Sequence, residues 1–244
     1  ESPADVYVIN TCTVTNTGDS KSRQMIRKAH RTNPDAVICV VGCYSQVASE
    51  EITEIEGVSV VLGTQHRASI VDFVEEYKMT HKQIVKIENV MKVSRFEDLS
   101  IHAFENKTRA FLKIQDGCNN FCTYCIIPYA RGGVRSRPKE DVLRQAQELV
   151  DRGFVEIVLT GIHTAGYGVD LDNYSFYDLL VDLTTKIKGL KRLRISSIEM
   201  SQVSDEIIEL IGRSPIIVDH LHIPIQSGTD SILRRMARHY NTAE

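Results

Sequence analysis

The sequence predicts an α/β protein in two parts, an N-terminal Rossmann-like parallel α/β domain followed by a partial TIM-like (βα) barrel. Short runs of β-branched residues alternate with helical stretches, which is the pattern of parallel βαβ units. The alternation breaks down in a mixed polar stretch and then resumes as a second series. We therefore predict domains over residues 1–80 and 108–244, joined by a linker over residues 81–107.

The first series contains three predicted strands with helices between and after them. The strands are runs rich in valine and isoleucine, over residues 5–9, 37–41 and 58–62. The helical stretches cover residues 19–31, 45–55 and 66–77. A parallel sheet covered by helices follows from this order.

The second series contains four βα units, which indicates part of a barrel. Its first helix has Pro138 near the start and Gly153 past the end, and its apolar residues share one face. The predicted strands are residues 110–115, 155–160, 193–197 and 219–225, and the predicted helices are residues 138–151, 175–187, 203–212 and 229–239.

Composition excludes several classes of protein. The chain has 244 residues, of which 42% are hydrophobic, and its 29 basic and 32 acidic residues give a net charge of −3. A polycation is therefore excluded, and a nucleic-acid surface must be a local patch. No apolar run reaches the roughly 18 residues of a membrane span, so we expect no membrane association. Because the sequence starts without methionine and stops in a predicted helix, we expect a fragment of a longer chain.

Three cysteines lie close together directly after the first strand of the second series. Cys118, Cys122 and Cys125 have the spacing C-x3-C-x2-C. Three thiolates on one tight loop can hold three irons of a 4Fe–4S cluster and leave the fourth iron open. An open iron can chelate the amino and carboxylate groups of S-adenosylmethionine (SAM) and pass an electron to its sulfonium. The end of a barrel strand is the expected place for such a site.

Three other interpretations of these cysteines explain the pattern less well. A zinc site requires a fourth ligand nearby, and the next histidine along the chain is His163. Bacterial ferredoxins use the spacing C-x2-C-x2-C-x3-C, which differs from this one. Three structural core cysteines would leave their clustering unexplained.

Two further cysteines follow strands of the first series. Cys12 and Cys43 each come just past a predicted strand, so both thiols are expected at the carboxyl edge of one sheet. This geometry can build a second metal site, although two cysteines alone cannot hold a cubane. Cys39 lies inside its strand and is interpreted as a small buried hydrophobe.

Polar residues and glycines after later strands are candidates for binding a cofactor. The glycines around Gly161 and His163 allow a ligand to approach the backbone, although an ordinary glycine turn fits equally well. Ser197 and Glu199 can hydrogen-bond a ribose or cap the following helix. Near the cysteine loop, Arg131, Arg135 and Arg137 belong to a basic patch that predicts contacts with an RNA backbone. The basic stretch over residues 19–31 is interpreted as a solvated face.

The cysteine loop resembles the signature of radical SAM enzymes, and residues 126–137 narrow the resemblance to the methylthiotransferases. The resemblance implies that Cys118, Cys122 and Cys125 hold a SAM-binding 4Fe–4S cluster. It also implies that Cys12 and Cys43 are ligands of an auxiliary 4Fe–4S cluster whose first cysteine lies upstream of this sequence. SAM-binding residues are then Tyr124, Gly161, His163, Ser197, Glu199 and Gln226.

The stretches over residues 8–19, 113–128, 159–164 and 220–228 are most similar to methylthiotransferases that modify tRNA. The implied reaction adds a methylthio group to carbon 2 of N6-threonylcarbamoyladenosine next to the anticodon. It implies tRNA, an external electron donor and a sulfur source as partners, and a cytoplasmic location. Two alternatives stay open, a ribosomal-protein aspartate methylthiotransferase and a non-catalytic iron–sulfur RNA-binding module. Without a C-terminal RNA-binding domain, this fragment is expected to be weak or inactive alone.

Overall fold

The computed structural model describes residues 3–99 and 108–244, which form two compact units. The first unit comprises residues 1–93 together with Cys125–Gly132, and the second comprises Ser94–Tyr124 together with Gly133–Glu244. Residues 100–107, the end of the predicted linker, lie outside the described residues. Across the described ranges, no helix is long and apolar enough to cross a membrane.

The first unit is a parallel four-stranded sheet with an apolar core on each face. Strands pair in chain order, and the six residues of the second strand are all buried because helices cover both sides. The strands are β1 (Val6–Thr11), β2 (Val37–Gly42), β3 (Val58–Leu62) and β4 (Ile84–Lys86). The helices are α1 (Asn16–Thr32), α2 (Cys43–Val47), α3 (Ser49–Thr53) and α4 (Ile70–Thr80).

Residues of β2 alternate between the two cores. Ile38 and Val40 face one cluster, and Val37, Cys39 and Val41 face the other. Cys39 is fully buried, and burial raises the pKa of its thiol to about 12. Its predicted role as a buried hydrophobe is therefore confirmed.

The first unit differs from the sequence prediction in two places. β4 lies inside the predicted linker, where it has a single buried apolar residue, Ile84, and is too short to show an alternating pattern. The predicted helix over residues 45–55 is two short helices, because the backbone of Ala48 (φ −136°, ψ 45°) leaves the helical region.

The second unit has a parallel three-stranded sheet packed against amphipathic helices. The spatial order of its strands is β5 (Ala110–Lys113), β8 (Glu156–Thr160) and β9 (Arg192–Ile195). A short antiparallel pair, β6 (Gln115–Asp116) and β7 (Arg135–Ser136), flanks the cysteine loop. The helices after β6 are α5 (Ile127–Arg131, in the first unit), α6 (Lys139–Asp151), α7 (Phe176–Lys186), α8 (Asp205–Arg213) and α9 (Asp230–Arg235).

The strand predicted over residues 219–225 is not formed as a regular strand. The chain there is joined to β9 and the residues after it by isolated bridges, Leu193 to Ile217 and Ser197 to His222. Pro224 has no N–H to donate to a ladder, and the segment has a neighbour on one side only. The alternating sequence is therefore present without the continuous pairing.

Candidate functional site

The buried side chain of Gln115 fixes the start of the cysteine loop. Its Nε2 donates to the carbonyl oxygens of Asp116 (2.7 Å) and Gly117 (2.6 Å). Its Oε1 accepts the backbone N–H of His163 at 2.9 Å. The N–H of Gly117 also donates to Asp116 Oδ1 at 2.9 Å. The loop is thereby tied at its base to the loop that follows β8.

The far end of the cysteine loop is held by the end of α9 and the residue that follows it. The Thr123 N–H donates to the Met236 carbonyl at 3.2 Å, and its hydroxyl donates to the Arg235 carbonyl at 3.1 Å. Phe121, between these anchors, has φ of +48°, a region that residues other than glycine rarely adopt. Cys122 follows it and is 8% exposed. This tight loop therefore places one of its thiols in the interior.

Cys122 lies at one end of a buried chain of charged and polar groups. Arg238 donates from Nη1 to Cys122 Sγ (3.4 Å), and its Nη2 lies 3.2 Å from Glu199 Oε1. Glu199 accepts a second bond at Oε2 from Asn120 of the cysteine loop. The Arg238 and Glu199 side chains are 7% and 6% exposed. Burial opposes the charge of Arg238, but its bonds to Cys122 and Glu199 raise its pKa above the ordinary value.

His163 lies on the other side of Glu199. Its Nδ1 is 3.9 Å from Glu199 Oε2, and its Nε2 is 2.5 Å from Gln202 Nε2. Burial lowers the pKa of His163, and the opposing effect of Glu199 is smaller. Burial therefore favours the neutral form of the imidazole. A side chain at Gly166 would collide with this ring, so the glycine turn packs closely around His163.

The other predicted SAM-binding residues are spread over the same unit. Ser197 Oγ lies 2.9 Å from His222 Nδ1, where an isolated bridge joins the residues after β9 to the later segment. An added Cβ at Gly161 would lie 2.9 Å from Gln115 Oε1, so this glycine lets the two loops approach. Tyr124 and Gln226 are exposed. The structure thus brings His163 and Glu199 together near Cys122 and leaves Tyr124 and Gln226 at the surface.

The surroundings of Cys122 fit a bound 4Fe–4S cluster. Within residues 3–99 and 108–244, no three His, Cys, Asp or Glu side chains are grouped so as to hold a metal ion. Two buried atoms, Arg238 Nε and Gln202 Oε1, have no hydrogen-bond partner in that part of the chain, and Glu199 Oε1 has only its ion-pair contact with Arg238. Because buried polar atoms are normally satisfied, this arrangement suits a polar group bound beside them. The three cysteines of the loop supply the thiolates that such clusters use.

Cys12 and Cys43 follow neighbouring strands at one edge of the first sheet, as the sequence predicts. The register of β1 and β2 pairs Thr11 with Gly42, the residues immediately before these cysteines. Gly42 has φ of +109°, and an added Cβ would lie 2.5 Å from the Thr11 carbonyl oxygen. Glycine therefore permits this close approach of the strand ends. Cys12 is exposed and Cys43 is buried.

A short helix from later in the sequence packs at this edge. Arg131, the last residue of α5, donates from Nε to Cys43 Sγ at 3.1 Å. The buried hydroxyl of Thr64 donates to the carbonyl of Ala130 in the same helix at 3.0 Å. The basic patch predicts an RNA contact for Arg131, whereas the structure shows its guanidinium on a cysteine sulfur.

The RNA contacts predicted for Arg135 and Arg137 are wrong. Their side chains are each 2% exposed. Arg137 lies 3.0 Å from Asp98 and also donates to Gln145, and Arg135 donates to the Gly133 carbonyl at 2.9 Å. A guanidinium held in the interior cannot reach a phosphate of RNA. The sequence shows the basic run but not the partners that distant segments supply.

Sequence reasoning missed Asn120, Gln115 and Arg238. Asn120 and Gln115 lie in or beside the cysteine loop, where the motif draws attention only to the thiols. Arg238 lies 116 residues after its cysteine partner, and no spacing pattern connects the two. An arginine that is buried just after a short helix has no signature that a single sequence reveals.

Known protein families match both parts of the chain. Residues 112–244 match the family described as the Radical SAM superfamily, which is more than half of the chain. Residues 1–63 match the Uncharacterized protein family UPF0004.

Several curated relatives are similar over nearly the whole chain. A threonylcarbamoyladenosine tRNA methylthiotransferase MtaB of Bacillus subtilis is 58% identical over 98% of this chain and 53% of its own length. The enzyme of that name from Aquifex aeolicus is 40% identical over 100% of this chain and 59% of its own. A tRNA-2-methylthio-N(6)-dimethylallyladenosine synthase of Dictyoglomus thermophilum is 36% identical over 99% of this chain and 55% of its own. The chain thus spans about half the length of these relatives.

Solved structures share the fold at low sequence identity. The cobalamin-dependent SAM radical enzyme OxsB superposes with a TM-score of 0.60 at 13% identity, covering 99% of this chain and 38% of that one. The radical SAM methyltransferase TsrM of Kitasatospora setae gives 0.60 at 15% identity, covering 100% and 53%. These likenesses support the α/β fold alone.

Proposed function

The chain belongs to the radical SAM superfamily, and on that premise we propose that the whole protein is a tRNA methylthiotransferase. The proposed reaction is SAM-dependent methylthiolation of carbon 2 of N6-threonylcarbamoyladenosine next to the anticodon. The observation that supports it most is the high identity, over nearly the whole chain, to a relative named for this activity. The proposal concerns the whole protein, because the chain spans about half of that relative.

The cysteine loop is the proposed centre of this chemistry. Cys118, Cys122 and Cys125 would hold the 4Fe–4S cluster, which when bound supplies the electron for reductive cleavage of SAM. The side chains of Gln115 and Thr123 fix the two ends of the loop by donating hydrogen bonds to main-chain carbonyls. The burial of Cys122 keeps water away from one ligand sulfur.

The SAM-binding surface is proposed to lie on the loops after β8 and β9. Burial lowers the pKa of His163 and so favours its neutral form, which can exchange a hydrogen bond with the cofactor without adding charge. Glu199 Oε1 is ion-paired with Arg238 Nη2 at 3.2 Å but accepts no hydrogen bond within residues 3–99 and 108–244. Contacts from Tyr124, Gly161, Ser197 and Gln226 complete the proposed set.

The carboxyl edge of the first sheet is the proposed site of an auxiliary 4Fe–4S cluster. Cys12 and Cys43 follow paired residues of adjacent strands, which supports a shared metal site. Two thiols are too few for a cubane, so a further ligand is required. We propose that an external electron donor and a sulfur source serve the reaction, and that it takes place in the cytoplasm with tRNA as the substrate.

The test is a methylthiolation assay with the full-length protein after anaerobic reconstitution with iron and sulfide. The substrate is tRNA that carries threonylcarbamoyladenosine without the methylthio group, and nucleosides are measured by mass spectrometry. We expect a product heavier by one methylthio group minus one hydrogen, formed only with SAM and a reductant.

Cys122→Ala is the matched negative control, and Cys39→Ala is the matched cysteine-removal control that keeps activity. A ribosomal protein mixture tests the main alternative substrate. Methylthiolation of protein and not of tRNA would contradict the proposed substrate. A reconstituted cluster with no SAM cleavage would contradict the proposed enzyme and favour an iron–sulfur binding module.

A further inference from the structure

An arginine from outside the cysteine motif lies on the most buried thiol of the cysteine loop. Arg238 Nη1 is 3.4 Å from Cys122 Sγ, and the same nitrogen is 3.4 Å from Tyr124 Oη. Its Nε is buried and has no hydrogen-bond partner in the described part of the chain. The guanidinium therefore has one N–H on the ligand sulfur and a second available to a group bound beside it.

The position of this guanidinium is fixed from several directions. Glu199 pairs with it at 3.2 Å, and the ring of Tyr240 lies 5.1 Å from its central carbon. The backbone N–H of Arg238 donates to the Leu233 carbonyl at 3.0 Å, which anchors the residue to α9. The arginine is therefore preorganised and does not lose side-chain freedom when a cluster binds.

The carboxylate that holds the arginine is itself held by the cysteine loop. Asn120 of this loop donates to Glu199 Oε2. Cys122, Arg238, Glu199 and Asn120 are therefore linked in sequence by hydrogen bonds and an ion pair. A buried ion pair is weak support for stability, because desolvation offsets the attraction between the charges. What this pair does provide is a directed N–H donor at a ligand sulfur.

Hydrogen bonds to the sulfurs set the reduction potential of an iron–sulfur cluster, together with its net charge and exposure. An N–H···S bond withdraws electron density from the thiolate and stabilises the reduced state, which carries one more negative charge. Glu199, at 3.2 Å, pairs with the guanidinium and offsets its charge here. The directed hydrogen bond, and not the net charge, therefore carries the effect.

We propose that Arg238 is a positioning residue for the cluster of the cysteine loop. Its hydrogen bond to Cys122 raises the reduction potential of that cluster. The proposal rests on the family's cluster and not on the tRNA substrate. Its test needs no tRNA, so the result can contradict this proposal without contradicting the proposed function.

The test is a redox titration of the full-length, reconstituted protein followed by electron paramagnetic resonance, without SAM. A Cys12→Ala/Cys43→Ala background restricts the signal to the cluster of the cysteine loop. In Arg238→Met we expect the midpoint potential to be lower. At the midpoint potential of the parent protein, the ratio of reduced to oxidised cluster should fall about tenfold, which corresponds to a shift of about 59 mV for one electron. Arg234→Met removes the same charge from an exposed position of α9 and should leave the midpoint unchanged.

Arg238→Lys keeps a positive charge for Glu199 but lacks the planar fork of donors, so its midpoint should lie between parent and Arg238→Met. An unchanged midpoint in an iron-loaded Arg238→Met protein would overturn the proposal. If that variant does not load iron, the lysine variant decides: a lowered midpoint supports the proposal and a parental midpoint overturns it. Loss of iron from both variants with parental circular dichroism also overturns it, because Arg238 would then govern loading.

Discussion

The two units each contain a buried cysteine with an arginine N–H on its sulfur, but they hold that pair in different ways. In the first unit, Cys43 is placed by the end of a strand, and Arg131 reaches it from α5 at 3.1 Å. In the second unit, Cys122 lies on a loop, and Arg238 is locked to it through a buried carboxylate.

The difference lies in what fixes the sulfur. At Cys43 the backbone does so, because Gly42 lets β1 and β2 end in close contact. At Cys122 a side-chain network does so, which begins at Gln115 and ends at Arg238. A change in backbone conformation should therefore disable the first site, and a change in hydrogen bonding should disable the second.

The largest expected effects come from removing one cysteine in each unit. Cys122→Ala should abolish formation of 5′-deoxyadenosine from SAM and lower the iron content of the protein. Cys43→Ala should lower the iron content by a similar amount but keep SAM cleavage, because the loop that carries Cys118, Cys122 and Cys125 is intact. Iron analysis and chromatography of 5′-deoxyadenosine measure both. Loss of SAM cleavage in both variants would show that the two sites are not separate.

Gly42→Ala tests the backbone dependence of the first site. The positive φ and the close Thr11 carbonyl should make the change cost about 2–3 kcal/mol of unfolding free energy. The variant should also lose the iron of the auxiliary cluster that we propose for Cys12 and Cys43. Gly212→Ala is the matched control, because this helical glycine has no atom within 4 Å of an added Cβ and should gain about 0.5–1 kcal/mol. Chemical denaturation measures both, and a Gly42→Ala protein of parental stability would contradict the interpretation.

Thr64→Val tests how α5 is held within the first unit. It removes a buried hydroxyl that donates to the Ala130 carbonyl and keeps the shape of the side chain. We expect a loss of about 1–2 kcal/mol, because the carbonyl loses its buried partner. Thr80→Val, at an exposed helical hydroxyl, should change stability by less than about 0.5 kcal/mol. Equal effects of the two changes would argue against α5 being anchored through Thr64.

The smallest expected effect is a pH dependence from His163 in the second unit. Burial lowers its pKa below the ordinary value of 6.5, so the unfolded chain binds the proton more readily. Stability from the buried neutral ring is present above pH 6.5 and is lost as the pH falls toward the folded-state pKa. Urea unfolding should show that the free energy of unfolding falls between pH 7.5 and pH 5.5. The fall should be smaller in His163→Gln than in the parent protein, and the difference between the two proteins should be less than about 1.4 kcal/mol. An identical decline in both proteins would show that His163 does not contribute.

The sequence predicted the features that depend on local pattern. β2 and β3 are rich in valine and other apolar residues, and the predicted bounds of both lie within one residue of the observed ends. The placement of Cys12 and Cys43 at one sheet edge also followed from the order of strands alone. β4 was missed because three residues carry too little periodicity to separate a short edge strand from a linker.

The parts of the site that depend on distant partners were not predictable. Arg137 looks like a surface charge in the sequence, and its burial depends on Asp98 and Gln145 from other segments. Arg238 joins Cys122 only because α9 returns to the cysteine loop. Local sequence does not encode which charges find a partner, because that depends on the tertiary packing of separate elements.

The most direct measurement of the central claim is electron paramagnetic resonance of the reduced Cys43→Ala protein with and without SAM. We expect this variant to lose the proposed auxiliary cluster and to keep the cluster proposed for the loop that carries Cys118, Cys122 and Cys125. If an iron of that cluster is open to the cofactor, the signal shifts when SAM is added and is absent from Cys43→Ala/Cys122→Ala. A cluster signal that SAM does not change, or bound zinc in place of iron, would contradict the account.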